Sequence, residues 1–384
     1  MAPDARHLRT SHGPSPKATM LMRRQVVLSA AASGALAPLL VACSSSTSEQ
    51  EAAHALRRPI TAQPSERVDL MRELVRYATL APSSHNTQCW TFHLQDLAIV
   101  IAPDLSRRCP VVDPDEHHLH VSLGCATENL AQAALAKGLQ ADARFDASGA
   151  GAITVGLDAT RASASALFQA IPERQCTRGD YDGRPISSDE LRLLERAGSG
   201  DGVRVMLLTD RAAIEKVLEY VVAGNTAQMN DRAFVEELKT WIRFGADEAA
   251  RTGDGLFAGT TGNPAMPRWL GSRMMGLFFT PKSENERYAR QIRNSAGIAV
   301  FVSETSDKAH WVEAGRCYER FALQATALGI RNAFLNQPVE VGSIRPQFAS
   351  ALGLGSHRPD LVVRFGRGPA MPLSMRRPVQ AVLV

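Results

Sequence analysis

The spacing of apolar residues along the chain predicts the same short series of elements twice. In the first half, Val68–Ala81 (VDLMRELVRYATLA) places its apolar residues at helical spacing. Trp90–Ala102 (WTFHLQDLAIVIA) alternates as two strands about a turn near Gln95–Asp96. Leu123–Leu139 is an alanine-rich helix ending at Gly138, and Ala152–Leu157 reads as a strand. In the second half, Val203–Thr209 and Gly297–Ser303 read as strands, Ala314–Ile330 as a buried helix and Asp360–Gly366 as a last strand. The fold class expected is α+β.

The two long helices also match in detail. Gly124, Glu128, Ala131, Ala134, Ala136 and Gly138 meet Gly315, Glu319, Ala322, Ala325, Ala327 and Gly329 at a constant offset of 191. Small residues at helical spacing let two helices approach closely. The pattern therefore implies two related halves packed through their central helices as a built-in pseudo-dimer. An insertion of roughly 225–285 interrupts the second half. It joins a turn-rich stretch, RTGDGLFAGTTGNPAMP (Arg251–Pro267), to an apolar one, WLGSRMMGLFF (Trp269–Phe279). Two readings stand: a mobile lid over a pocket, or a helical pair packed on the core.

Composition narrows the partners. The 384 residues are 45% hydrophobic and carry a net charge of +4 from 43 basic and 39 acidic residues. Neither nucleic acid nor an anionic surface is implied by so balanced a chain. Met22–Cys43 has a basic start with paired Arg23 and Arg24, an apolar stretch too short to span a bilayer, and a lipobox-like LVAC. Residues 1–43 therefore read as a twin-arginine export signal with a lipid anchor at Cys43, and 44–65 as a flexible tether. Export of an already folded protein points to a bound cofactor. The remaining cysteines, Cys89, Cys109, Cys125, Cys176 and Cys317, form no metal-binding or disulfide pattern. In DEHHLH (Asp115–His120), His118 and His120 invite a metal reading, but an exposed turn or helix start is the expectation and no metal site is predicted.

The stretch LAPSSHNTQCW (Leu80–Trp90) concentrates the candidate chemistry. Pro82 is expected to stop the preceding helix. Ser83, Asn86 and Gln88 offer neutral donors and acceptors to a buried polar ring, and Trp90 can wall the site. An Asx-turn beside a core Trp is the plainer reading.

APSSHNTQCW resembles the flavin-binding motif of the nitroreductase family, with Cys89 where that family usually has proline. Glu173–Ile186, Leu328–Glu340 and Arg364–Leu383 extend the resemblance over nearly all of the chain beyond the tether, most closely to the Acg-like branch with two fused units. The resemblance implies a nitroreductase-like fold with units at 66–172 and 173–384, and noncovalent FMN between them. It implies one complete flavin site. Ser83, Ser84, His85, Asn86 and Gln88 would come from the first unit, and Arg174, Arg178, Arg376 and Arg377 would hold the phosphate from the second. Asn336 and Gln337 would lie near the reactive ring. The second unit's counterpart of the loop, Arg196–Gly202, has lost the amides. No catalytic side chain is implied, because the flavin carries the chemistry. The implied activity is two-electron transfer from NAD(P)H or another donor to a quinone- or nitroaromatic-like acceptor. The alternatives are an FMN-storing or sequestering protein with a closed lid, and an interaction module without flavin.

Overall fold

A computed structural model describes residues 50–59 and 66–384. The export signal, the lipobox and most of the tether lie outside the described residues. Beyond a helical stretch at 50–56, the first half runs α1 (Arg67–Ala78), β1 (Trp90–Leu94), β2 (Ala98–Pro103), α2 (His117–Ala136), β3 (Leu139–Asp146), β4 (Ala152–Ala159) and α3 (Ala166–Ala170). The second runs α4 (Ser188–Ala197), β5 (Val203–Leu208), α5 (Arg211–Asn230), α6 (Arg232–Trp241), β6 (Ile242–Arg243), α7 (Ala246–Thr252), β7 (Leu256–Phe257), α8 (Arg268–Phe278) and α9 (Pro281–Arg293). It ends with β8 (Gly297–Ser303), α10 (Lys308–Ala327), β9 (Arg331–Phe334), α11 (Gln337–Glu340), α12 (Arg345–Ala351) and β10 (Pro359–Gly366). The architecture is α+β.

The two main sheets share one plan. The first is ordered β1-β2-β4-β3 and the second β5-β8-β10-β9, and every pairing in both is antiparallel. β8 and β10 are buried along their whole length; β8 is almost wholly apolar, whereas β10 also buries Asp360 and Arg364. β3 and β9 escape the sequence pattern. Along β3 the buried face carries only half-buried residues, and β9 has just four.

α2 and α10 cross at the centre of the core. A Cβ on Gly124 would lie 1.9 Å from the Val312 carbonyl oxygen, and one on Gly315 would lie 2.0 Å from that of Val121. Val121 and Val312 are themselves 191 apart, so the crossing repeats its own contact across a local two-fold. Only glycine permits so close a backbone approach.

α1 ends at Ala78, ahead of Pro82, and the carbonyls of the three residues between them are satisfied from a distance. Arg376 donates through Nε to the carbonyl oxygen of Thr79 at 2.7 Å, and through Nη2 to those of Leu80 and Ala81, both at 3.1 Å. A guanidinium from the chain's end thus satisfies carbonyls that no helix bond can reach.

Candidate functional site

The polar loop after α1 is strained. His85, Asn86 and Gln88 have φ of 49°, 53° and 55°, in the left-handed region that non-glycine residues avoid. Ser83 Oγ accepts from the Gln88 amide at 2.9 Å and helps to hold the turn. The strain splits the loop into two sides. Ser83, Ser84 and His85 face a cavity of about 480 Å³, while the amides turn away from it.

Asn86 donates to the carbonyl oxygens of Gly255 at 3.0 Å and Met375 at 3.2 Å, and accepts from Arg376 at 3.0 Å. Gln88 donates to Gly253 O at 2.8 Å and accepts from the Arg377 amide at 2.8 Å. These two side chains fasten the insertion and the C-terminal tail to the first half, and neither lines the cavity. They were expected to face a ring; the left-handed backbone points them into protein instead.

The four arginines divide likewise. Arg174 is buried against Glu319 at 3.1 Å and donates to Leu80 O at 3.0 Å. Arg376 is spent on its carbonyl partners. Arg377 donates to Ala381 O at 2.5 Å and sits 3.8 Å from Asp104. Arg376 and Arg377 border a separate cavity of about 440 Å³ with Arg58, Arg72 and Arg76. Arg178 alone of the four lines the main cavity, and its guanidinium makes no hydrogen bond or ion pair among the described residues. These distant pieces of the chain lie together, but three of the four arginines hold protein there.

Asn336 and Gln337 both line the cavity. Asn336 Oδ1 accepts from the Val362 amide at 3.0 Å, which fixes its side chain. Gln337 is buried and its Oε1 has no partner among the described residues. A buried amide oxygen without a donor is rare in native cores and marks a place for a ligand donor.

The opposite wall comes from the insertion. Phe234, Leu238, Phe244, Met274, Met275 and Phe278 give it an apolar, adaptable surface. The insertion's feet are clasped, with Asn225 Nδ2 donating to Asn285 Oδ1 at 2.7 Å and Asn285 Nδ2 to Thr226 Oγ1 at 2.9 Å. Its body is fastened where Glu237 accepts from the amides of Val111 and Val112 at 2.8 and 3.0 Å. Asp254 pairs with Arg243 at 2.7 Å and with Arg107. On α8, Trp269 is 72% exposed and Phe278 64%, so this helix is not a core element.

Sequence reasoning missed His118, Ser122, Gln228, Glu284, Arg287 and Glu340, which also line the cavity. Glu340 closes the stretch LNQPVE and could have been read there, and His118 stands out in DEHHLH, though as a metal candidate; the others carry no local signature. Glu340 accepts from Gln228 at 2.6 Å, and burial raises its pKa. Burial also raises that of Glu284, against the opposing charge of Arg287. Burial, then the charges of Arg178 and His118, push His85 down to about 4, so it is neutral at pH 7. The exposed turn or helix start expected at DEHHLH is a helix start, but a buried one: His117, His118 and His120 are all buried on the first turn of α2. Two of them reach the second half, where His117 Nε2 meets Asp360 Oδ1 at 2.9 Å and His118 Nε2 meets Asp360 O at 3.3 Å.

No protein-family model matches the chain. Two curated proteins from two strains of Mycobacterium tuberculosis, "Putative NAD(P)H nitroreductase MT3217" and "Putative NAD(P)H nitroreductase Rv3131", are each 25% identical over 331 residues. The match covers 82% of this chain and 91% of theirs. Among solved structures, an FMN-bound nitroreductase from Bacteroides fragilis overlaps 53% of this chain and 88% of its own at 16% identity, with a TM-score of 0.33. The Mycobacterium smegmatis nitroreductase NfnB in complex with NADPH overlaps 53% and 87% at 13% identity, with a TM-score of 0.35. Superpositions this loose do not bear on function. The likeness to the mycobacterial proteins covers most of both chains.

Proposed function

We propose that the cavity holds FMN and that the chain is an FMN-dependent NAD(P)H oxidoreductase of the nitroreductase type. The observation that carries this reading is the pairing of an unpartnered guanidinium, Arg178, with an unpartnered buried acceptor, Gln337 Oε1, in one cavity. FMN has an anionic phosphate at one end and ring N–H and carbonyl groups at the other, so the donor set fits it. A volume of about 480 Å³ lies within the range of small-molecule and cofactor sites. The mycobacterial relatives support the same class of chemistry.

When bound, FMN supplies two-electron hydride transfer. Arg178 would hold the phosphate by a charge-assisted contact. Ser84 and Gln337 would orient the ring through hydrogen bonds. His85, neutral at pH 7, sits at the cavity wall without adding charge. The apolar faces of α6 and α8 exclude water and leave room for a flat aromatic acceptor of the quinone or nitroaromatic kind.

The finer parts of the reading belong together. Two fused units, divided near residue 172, would place the flavin at an interface inside a monomer, as in the Acg-like branch. The second unit's equivalent loop is packed against side chains. A Cβ at Gly200 would strike Glu313, Cys317 and Arg320, which fill that position with an ion-pair network to Glu128. The N-terminal signal would export the folded, loaded protein and tether it at Cys43. A sequestering role is favoured by one feature, the fastening of the insertion at Gly253, Gly255 and Glu237. Anaerobic mixing of the FMN-loaded protein with NADPH separates the two. Prompt loss of the yellow oxidised absorbance supports turnover, whereas a flavin inert to NADPH but bleached by dithionite supports sequestration.

A further inference from the structure

Asp113, His117 and His118 form a second constellation at the start of α2, outside the flavin assignment. One carboxylate oxygen and one ring nitrogen from each histidine lie within 4.8 Å of one another, and all three residues are buried. Three points so spaced have a common centre no more than roughly 2.8 Å from each. Zinc bonds to these donors are about 2.0–2.2 Å, so closing on an ion needs a contraction of under about 1 Å.

Two further observations point to a ligand there. His117 Nδ1 is buried and has no hydrogen-bond partner. Its other nitrogen, Nε2, is bonded to Asp360 Oδ1 at 2.9 Å, and Asp360 is itself held by the Ser303 amide and hydroxyl, both at 2.7 Å. A carboxylate behind an imidazole fixes the tautomer and leaves the far nitrogen with a free lone pair, the arrangement found behind metal-bound histidines. His118 repeats the logic. Its Nε2 faces the Asp360 carbonyl oxygen at 3.3 Å, and its Nδ1 lies 3.9 Å from Glu340 Oε1. Asp113 is held in place by the amides of His118 and Leu119 at 3.0 and 2.9 Å, and each of its oxygens keeps a lone pair for a cation.

We propose that Asp113, His117 and His118 bind a divalent transition-metal ion of the zinc type, with Glu340 or a water from the adjacent cavity completing the shell. Two imidazoles and a carboxylate suit such ions and do not suit magnesium or calcium. His118 and Glu340 also line the main cavity, which gives the ion an entry path. The ion would join α2 of the first half to β10 and α11 of the second, so it stiffens the frame around the flavin pocket.

Co²⁺ is the probe, added to the chelator-treated full chain and followed by visible absorption and thermal unfolding. The expected result is one equivalent of bound Co²⁺ with d–d bands, displaced by Zn²⁺, and a rise in Tm with either ion but not with Mg²⁺ or Ca²⁺. His118→Gln and His117→Gln should each weaken Co²⁺ binding at least about tenfold, while His93→Gln, on the exposed edge of β1, should leave it unchanged. If His117→Gln does not fold, His118→Gln and the wild-type titration still decide. Absence of d–d bands and of any Zn²⁺-induced rise in Tm would overturn the proposal. So would strong sulfur-to-cobalt charge-transfer bands, or binding indifferent to His118→Gln.

Discussion

Arg376 and Arg178 look alike in the sequence and do opposite work in the fold. Arg376 is buried, with donors placed on the Thr79, Leu80 and Ala81 carbonyls and on Asn86. Arg178 faces the cavity without a partner. Arg376→Ala should therefore cost about 3 kcal/mol or more of stability in urea unfolding, because it strands several buried acceptors at once. Arg178→Ala should leave unfolding unchanged and weaken FMN binding about tenfold or more in a fluorescence titration. His85 gives a prediction in pH. Its folded pKa, about 4, lies below the ordinary 6.5, so between those values the unfolded chain binds the extra proton. Stability should fall on acidification through that window, and His85→Gln should flatten this part of the curve. The motif's position and polarity were legible from LAPSSHNTQCW alone. Which side chains face the cavity was not, because that depends on left-handed backbone at His85, Asn86 and Gln88, a conformation no periodicity encodes.

At the scale of elements, the crossing of α2 and α10 is the tightest constraint in the core. A side chain at Gly124 would strike the Val312 backbone, whereas one at Gly276 on α8 meets nothing within 4 Å. Gly124→Val should destabilise the protein by about 3 kcal/mol or prevent folding. Gly276→Ala should be neutral or stabilise it by about 0.5–1 kcal/mol. Both are read from denaturant midpoints. The helix repeat was legible because close approach demands the same small residues twice, and the 191 offset returns as the Val121 and Val312 contacts. The strands bordering these helices were legible from their apolar runs. The short β9 was not, since four residues cannot establish a period. The insertion's mixed composition left lid and packed pair equally open. Its feet and middle are fastened at Asn225–Asn285, Glu237 and Asp254, while α8 presents Trp269 and Phe278 to solvent.

In the whole molecule, the cavity exists only because distant parts of the chain meet. The loop at Ser83–His85, Arg178, Asn336–Gln337 and the insertion each supply one wall. The amides of Asn86 and Gln88, with Arg376, lock the first half to the C-terminal tail, so the frame of the site and its lining are built by neighbouring residues of one loop. That division explains why a functional motif also reads as a structural one. The central claim is that this frame holds FMN in a reducible state. The direct test is an anaerobic titration of FMN-reconstituted protein with NADPH, after removal of free flavin, followed by flavin absorbance. The account predicts a retained, near-stoichiometric flavin whose oxidised absorbance is lost as NADPH is added. A protein that retains no FMN from excess contradicts it.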